Sequence, residues 1–308
     1  MKYSIYETYL DSIKKTSKGR KKLKEFWGKE VTYADFTLDA VAAINSQSNG
    51  RVNVEATSVV LTEKSWVESG APVIFLENDE LINNLYQADY DFSNGATIDP
   101  PFKHFALSLP PSTVIDGYEV KSCLVSMVSV REYLTSFGDL VGDSYLADIG
   151  EAVGMFVNLD DIQVSVYFRD SEGVMHQSVK VLSEDVDFSD GNENCTDALL
   201  KIAVTLCLYN SATFGKNLVS GYPTSAVKMP KGKNKTNYQG ILAKPKENNC
   251  GNDQKRKESR KIKYRIPYFR NLRADRFYQN EFANVPRGSR WVWVNGVDVD
   301  ARMNTLLK

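Results

Sequence analysis

The sequence predicts an α+β fold, a mainly antiparallel sheet flanked by helices, and two observations carry that prediction. Six β-branched or alternating runs crowd between residues 72 and 182, and apolar residues at helical spacing lie on either side of them. Hairpin punctuation also separates neighbouring runs, as Asp160-Asp161 and as "RDSEGV" at 169–174.

In chain order, residues 3–27 read as a helix: Tyr6, Leu10 and Ile13 share one face, and Leu23, Phe26 and Trp27 resume it beyond a Lys/Gly interruption. A second helical pattern, "ADFTLDAVAAI", covers 34–44. The strand candidates are "PVIFL" (72–76), "HFALSL" (104–109), "YEVKSCLVSMVSV" (118–130), "GMFVNL" (154–159), "IQVSVYF" (162–168) and "VMHQSVKVL" (174–182). The last three predict an antiparallel meander across 154–182. Helices are expected at "ENDELINNLYQ" (77–87) and "TDALLKIAVTLCLYN" (196–210), the latter buried and capped by its opening Thr/Asp pair. The Lys-, Asn- and Gly-rich stretch 228–262 has too few apolar residues to offset its chain entropy, which predicts a mobile basic linker. Four regions follow: an N-terminal helical region (1–60), an acidic α+β body (61–227), the linker (228–262), and a basic, aromatic C-terminal segment (263–308) that packs on the body.

The chain has 308 residues, 42% hydrophobic and 25% charged, the make-up of a globular protein with one large or two ordinary domains. No run approaches the roughly 20 apolar residues that span a bilayer. The N-terminus lacks an apolar signal core, so the expected location is cytoplasmic and no membrane partner is implied. Cys123, Cys195, Cys207 and Cys250 are scattered without a C-x-x-C pair, which excludes a zinc knuckle or redox dithiol. The net charge of −1 conceals a division. Residues 25–227 hold 10 Lys and Arg against 30 Asp and Glu, whereas 228–290 hold 18 against 5. A further seven positive charges stand in "KKTSKGRKKLK" at 14–24. Segregation of this size suggests two partners of different charge, or an acidic body that its own basic tail partly covers.

Catalytic motifs are sparse. His104 and His176 are the only histidines, each within a predicted strand, and a structural role is expected of both. "DVDFSDGNEN" (185–194) fails as a calcium loop, because Asp190 occupies the sixth position, where glycine is needed, and Thr196 the twelfth. "GDLVGDS" (138–144) lacks the lysine of a phosphate loop. Glu119-Val-Lys121, with Asp99 or Asp116 upstream, matches in residue type the acidic pair and lysine of metal-dependent PD-ExK nucleases. Two carboxylates would hold Mg²⁺ while the lysine orients the attacking water. The competing reading is an exposed strand face on which Glu and Lys alternate. No cofactor or resident metal is implied.

The C-terminal segment is the most informative. Arg265, Arg270, Arg273 and Arg276 are interleaved with Tyr268 and Phe269, a composition suited to phosphates and unpaired bases. In "RWVWV", by contrast, Trp291 and Trp293 share one strand face and are expected to anchor the segment to the body. General RNA binding is therefore a further alternative.

The stretch "KIKYRIPYFRNLRADRFYQNE...RGSRWVWVNG" resembles the end of the plasmid- and phage-encoded type V-A anti-CRISPR proteins that lower the level of their target nuclease. The likeness continues upstream in order through "PVIFLENDELINNLYQADYD", "HFALSLPPS", the hairpin region and "TDALLKIAVTLCLYN", and is least over the first 60 residues. It implies a non-enzymatic binding protein that recognises the N-terminal peptide of the type V-A effector as it leaves the ribosome and promotes loss of its mRNA. The partners implied are that peptide and, beyond it, the ribosome or the message. Which surface takes the peptide is not implied.

Overall fold

A computed structural model of the chain describes residues 2–28, 31–47, 53–92, 95–141, 158–182, 194–225, 227–228, 237–245 and 267–294. Its N-terminal part is not one helix. Tyr3–Ser4 form a short strand, β1, and helices α1 (Tyr9–Lys14) and α2 (Ser17–Trp27) follow. Two threonines impose the break: Thr8 caps α1 in a reciprocal box with Asp11, and the Thr16 hydroxyl accepts the Gly19 N–H at 2.9 Å to start α2 afresh. Helices α3 (Tyr33–Gln47) and α4 (Val54–Glu68) complete this part, and α4 runs through the boundary expected at residue 60. Rich in β-branched residues and buried around much of its circumference, α4 shows no single apolar stripe by which to be recognised.

The body is a seven-stranded mixed sheet. In chain order its strands are β2 (Pro72–Leu76), β3 (His104–Ser108), β6 (Ser122–Ser129), β7 (Ile162–Arg169), β8 (Met175–Leu182), β9 (Leu218–Ser220) and β11 (Gln239–Ala243). Across the sheet they run β8-β7-β6-β3-β2-β11-β9, with the pairs β3-β2 and β2-β11 parallel and the other four antiparallel. A small hairpin, β4 (Val114–Ile115) and β5 (Tyr118–Glu119), precedes β6, and β10 (Val227–Lys228) pairs in parallel with β1. Helices α5 (Asp79–Gln87), α6 (Val130–Val141) and α7 (Cys195–Ala212) flank the sheet.

Alternation along β2 sorts its residues between two cores, as the two-residue period of a strand requires. Ile74 and Leu76 join α5 and α7 in the larger core, while Val73 and Phe75 meet Val59 and Trp66 of α4 on the opposite face. Helix α7 is buried as expected, but its cap is Asn194, whose side chain accepts the Asp197 N–H at 3.0 Å.

Two expectations about strands are corrected. Both edges of β7 are occupied, by β6 and by β8, so a strand at 154–159 has no place beside it. Residues 158–161 form a turn instead, and 154–157 lie outside the described residues. Secondly, Gln239–Ala243 lies inside the stretch expected to be linker, yet it is strand β11 between β2 and β9. Ile241 and Ala243 are buried in the larger core, and these few apolar residues suffice because both neighbouring strands are already formed.

Near the C-terminus, β12 (Tyr268–Asn271) pairs antiparallel with β13 (Trp291–Val294), setting Phe269 opposite Trp293. Phe269, Trp291 and Trp293 all enter the larger core, and the Trp291 indole donates to the Thr97 carbonyl at 2.9 Å.

Candidate functional site

Beyond β1, Ile5 and Tyr6 pack against one face of the sheet before Thr8, in an extended conformation, opens α1. The Ser108 hydroxyl donates to the Ser4 carbonyl at 2.8 Å and fixes its path. Below it Glu63 of α4 is fully buried. The Glu63 carboxylate accepts from the Tyr6 hydroxyl at 2.9 Å, the Tyr9 backbone N–H at 2.9 Å, and the Tyr33 hydroxyl. Burial pushes the Glu63 carboxyl up to about 7, although those donors and the charge of Arg169 pull the other way. The Tyr6 and Tyr33 phenols are raised well above their ordinary value, first by burial and then by the Glu63 charge.

Arg169, the last residue of β7, lays its guanidinium over the Tyr9 ring at 4.0 Å from the centroid. Beside it opens a cavity of about 640 Å³, walled among others by Tyr6, Glu7, Lys15, Lys121, Arg169 and Glu172. Most of its charges are already matched: Lys15 pairs with Glu7, and Lys121 with Glu119 at 3.2 Å. The turn from β7 to β8 is tied by Asp170, whose carboxylate accepts the Glu172 and Val174 N–H groups at 2.9 Å and meets His176 at 2.8 Å. The His176 bond is the largest of the influences that hold the Asp170 carboxyl below its usual range. His176 itself stacks on Phe168 with centroids 4.9 Å apart. His104 is pushed down to about 4 by burial, which leaves it neutral near pH 7.

The residues of the nuclease reading are not assembled into one site. Asp116 and Gly117 form the two-residue turn of the β4–β5 hairpin, with φ of 49° and 79°, and Asp116 is exposed there. Glu119 and Lys121 reach the cavity, but as an ion pair with each other. Burial first, and then the charge of Asp116, raises the thiol of Cys195, and burial and then Asp99 raise that of Cys207, so the two aspartates lie near different stretches of α7. Those cysteines stand twelve helical steps apart, about 18 Å at 1.5 Å per residue. Among the described residues no group of three or more His, Cys, Asp or Glu could hold a metal ion, and no helix is long and apolar enough to cross a membrane.

The basic segment divides differently from the expectation. Arg265 lies outside the described residues. Arg270, Arg273 and Arg276 are exposed and Tyr268 is half-buried. Phe269, expected to face RNA, is instead 4% exposed and packs on Trp293 with centroids 4.6 Å apart, so no base can stack on it. Its alternation with Tyr268 and Arg270 along β12 turns it inward. Arg290 is structural: it lies 3.5 Å from the Phe282 centroid and donates to the Phe277 carbonyl. Arg287 pairs with Asp275 at 2.6 Å.

Sequence reasoning reached Glu119 and Lys121 but missed Glu7, Tyr9, Glu63 and Arg169. These come from three distant stretches of chain, and no spacing links them. Known protein families, curated proteins and solved structures offer no match to this chain.

Proposed function

We propose that this chain is a cytoplasmic binding protein that recognises the N-terminal peptide of a nascent type V-A CRISPR effector and promotes loss of its mRNA. The ordered likeness from "PVIFL" to "RWVWVNG" motivates the choice of partner. One observation carries the binding role: the cavity of about 640 Å³ is bordered by the chain segment Ser4–Glu7 and by side chains of both charges. Its volume falls in the range of about 300–1,000 Å³ typical of ligand sites. A pocket lined by charged side chains of both signs suits a peptide, whose side chains and backbone offer donors and acceptors together. The exposed Arg270, Arg273 and Arg276 offer a separate basic face for ribosomal or messenger RNA.

Co-expression with a type V-A effector tests this directly. Effector mRNA should fall when the effector carries its own N-terminal residues and should persist when those residues are replaced. Equal mRNA in both cases, with and without this protein, overturns the proposal.

A further inference from the structure

We infer that Phe214 is a stacking platform for an unpaired base of single-stranded RNA, at the outer end of a column of rings and guanidinium groups formed where the C-terminal segment meets α7. The inference rests on the reading that the exposed arginines of this segment face RNA, and it adds the group that takes a base. Phe214 follows Thr213, the C-cap of α7, and two properties set it apart. It is 56% exposed, and its φ is 52°, in the left-handed region that is unfavourable for a bulky side chain. Glycine or asparagine would end the helix there at less cost, so capping does not account for an aromatic ring.

The ring is nonetheless held. Phe282 lies 5.5 Å away between centroids with the planes 35° apart. Arg290 stands 3.5 Å from the Phe282 centroid and 5.8 Å from that of Phe214. It also donates to the carbonyl of Phe277, whose ring carries the Arg276 guanidinium at 4.9 Å. The Ser211 hydroxyl donates to the Ser289 carbonyl at 2.8 Å and ties the end of α7 to the same segment. A ring fixed in advance loses little freedom when a base stacks on it.

Charge selects the occupant. Residues 267–294 carry five arginines against Asp275 and Glu281, and Asp275 is matched by Arg287. Arg270, Arg273 and Arg276 are exposed, as is Lys216 two positions beyond Phe214. An apolar protein partner would have to strip water from these charges. A single strand uses both features, with phosphates on the cations and a base on the ring. Duplex RNA keeps its bases stacked on one another and offers the ring no free face.

The test uses the purified full chain and two labelled probes, an oligouridylate of about ten nucleotides and an abasic ribose-phosphate strand of the same length, titrated by fluorescence anisotropy. The uridylate should bind at least about fivefold more tightly, the ratio that stacking of one base supplies. Phe214→Asn, which suits the left-handed backbone, should abolish that preference while leaving affinity for the abasic strand unchanged; Phe214→Trp should retain the preference. Equal affinity of the unaltered protein for the two strands, or a preference that survives Phe214→Asn, overturns the inference. Equal binding that weakens with salt removes the base platform alone and retains the RNA-facing arginines, whereas no binding of either strand removes both.

Discussion

Tyr6 and Glu63, 57 positions apart, share a buried hydrogen bond of 2.9 Å that joins the N-terminal segment to α4 on one face of the sheet. Tyr33 of α3 donates to the same carboxylate, so three elements converge on one buried acid. A carboxylate placed there is costly unless its bonds compensate, and here they do so only in part.

Stability should therefore fall as pH rises. The Glu63 carboxyl is raised from 4.5 to about 7 in the folded protein, so between those values the native state binds more protons than the unfolded chain. Its contribution is complete below the unfolded value and is lost as pH climbs through the folded one. The loss is on the order of 3 kcal/mol, from about 1.4 kcal/mol for each pH unit of separation. Urea midpoints measured at pH 5 and pH 7.5 should differ more for the unaltered protein than for Glu63→Gln. Identical pH dependence in the two would refute this account of the cluster.

Gly288→Ala should detach the C-terminal hairpin. Gly288 has φ of 85°, its carbonyl accepts the Thr97 N–H at 3.1 Å, and a Cβ there would collide with the Gly95 carbonyl. Positive φ and overpacking act together, for a loss of about 1–3 kcal/mol. The effect should appear in hydrogen exchange as faster exchange across 268–294, with the β6–β8 amides spared. Unchanged protection across that hairpin would count against the close approach.

Binding of single-stranded RNA should separate the two faces of β12. Arg270→Ala, Arg273→Ala and Arg276→Ala should each weaken binding across all sequences alike and lower the salt slope by about 1, with stability changed by less than about 0.5 kcal/mol. Trp293→Ala should instead cost about 3–5 kcal/mol of stability, because its ring is buried against Phe269 and Tyr209. RNA affinity that is indifferent to all three arginine changes would remove this surface from consideration.

How much of this was legible in the sequence depended on the range of the signal. Strands β2, β3, β7 and β8 announced themselves through local alternation and turn residues, and α7 through its apolar length. The partner of β7 did not, since 154–159 alternates as well as 122–129 does and only the assembled sheet shows β6 beside it. Strand β11 has five residues amid lysines and asparagines, and it becomes a strand because β2 and β9 present edges on both sides. The cavity was hidden for the same reason. Glu7, Lys15, Lys121 and Arg169 reside on four separate elements or turns, and only tertiary packing brings them to one wall.

The place of β11 also sets the order in which the protein can be completed as it is synthesised. Strand β2 emerges from the ribosome early and waits with one parallel edge bare until residues 239–243 arrive, and β1 waits likewise for β10 at 227–228. Chains stalled or truncated before residue 239 would hold β9 without its sheet partner and leave an open strand edge in the middle of the body, the kind of surface on which chains stick to one another. A protein proposed to attend other chains during their translation keeps its own sheet incomplete until residues 239–243 have been made.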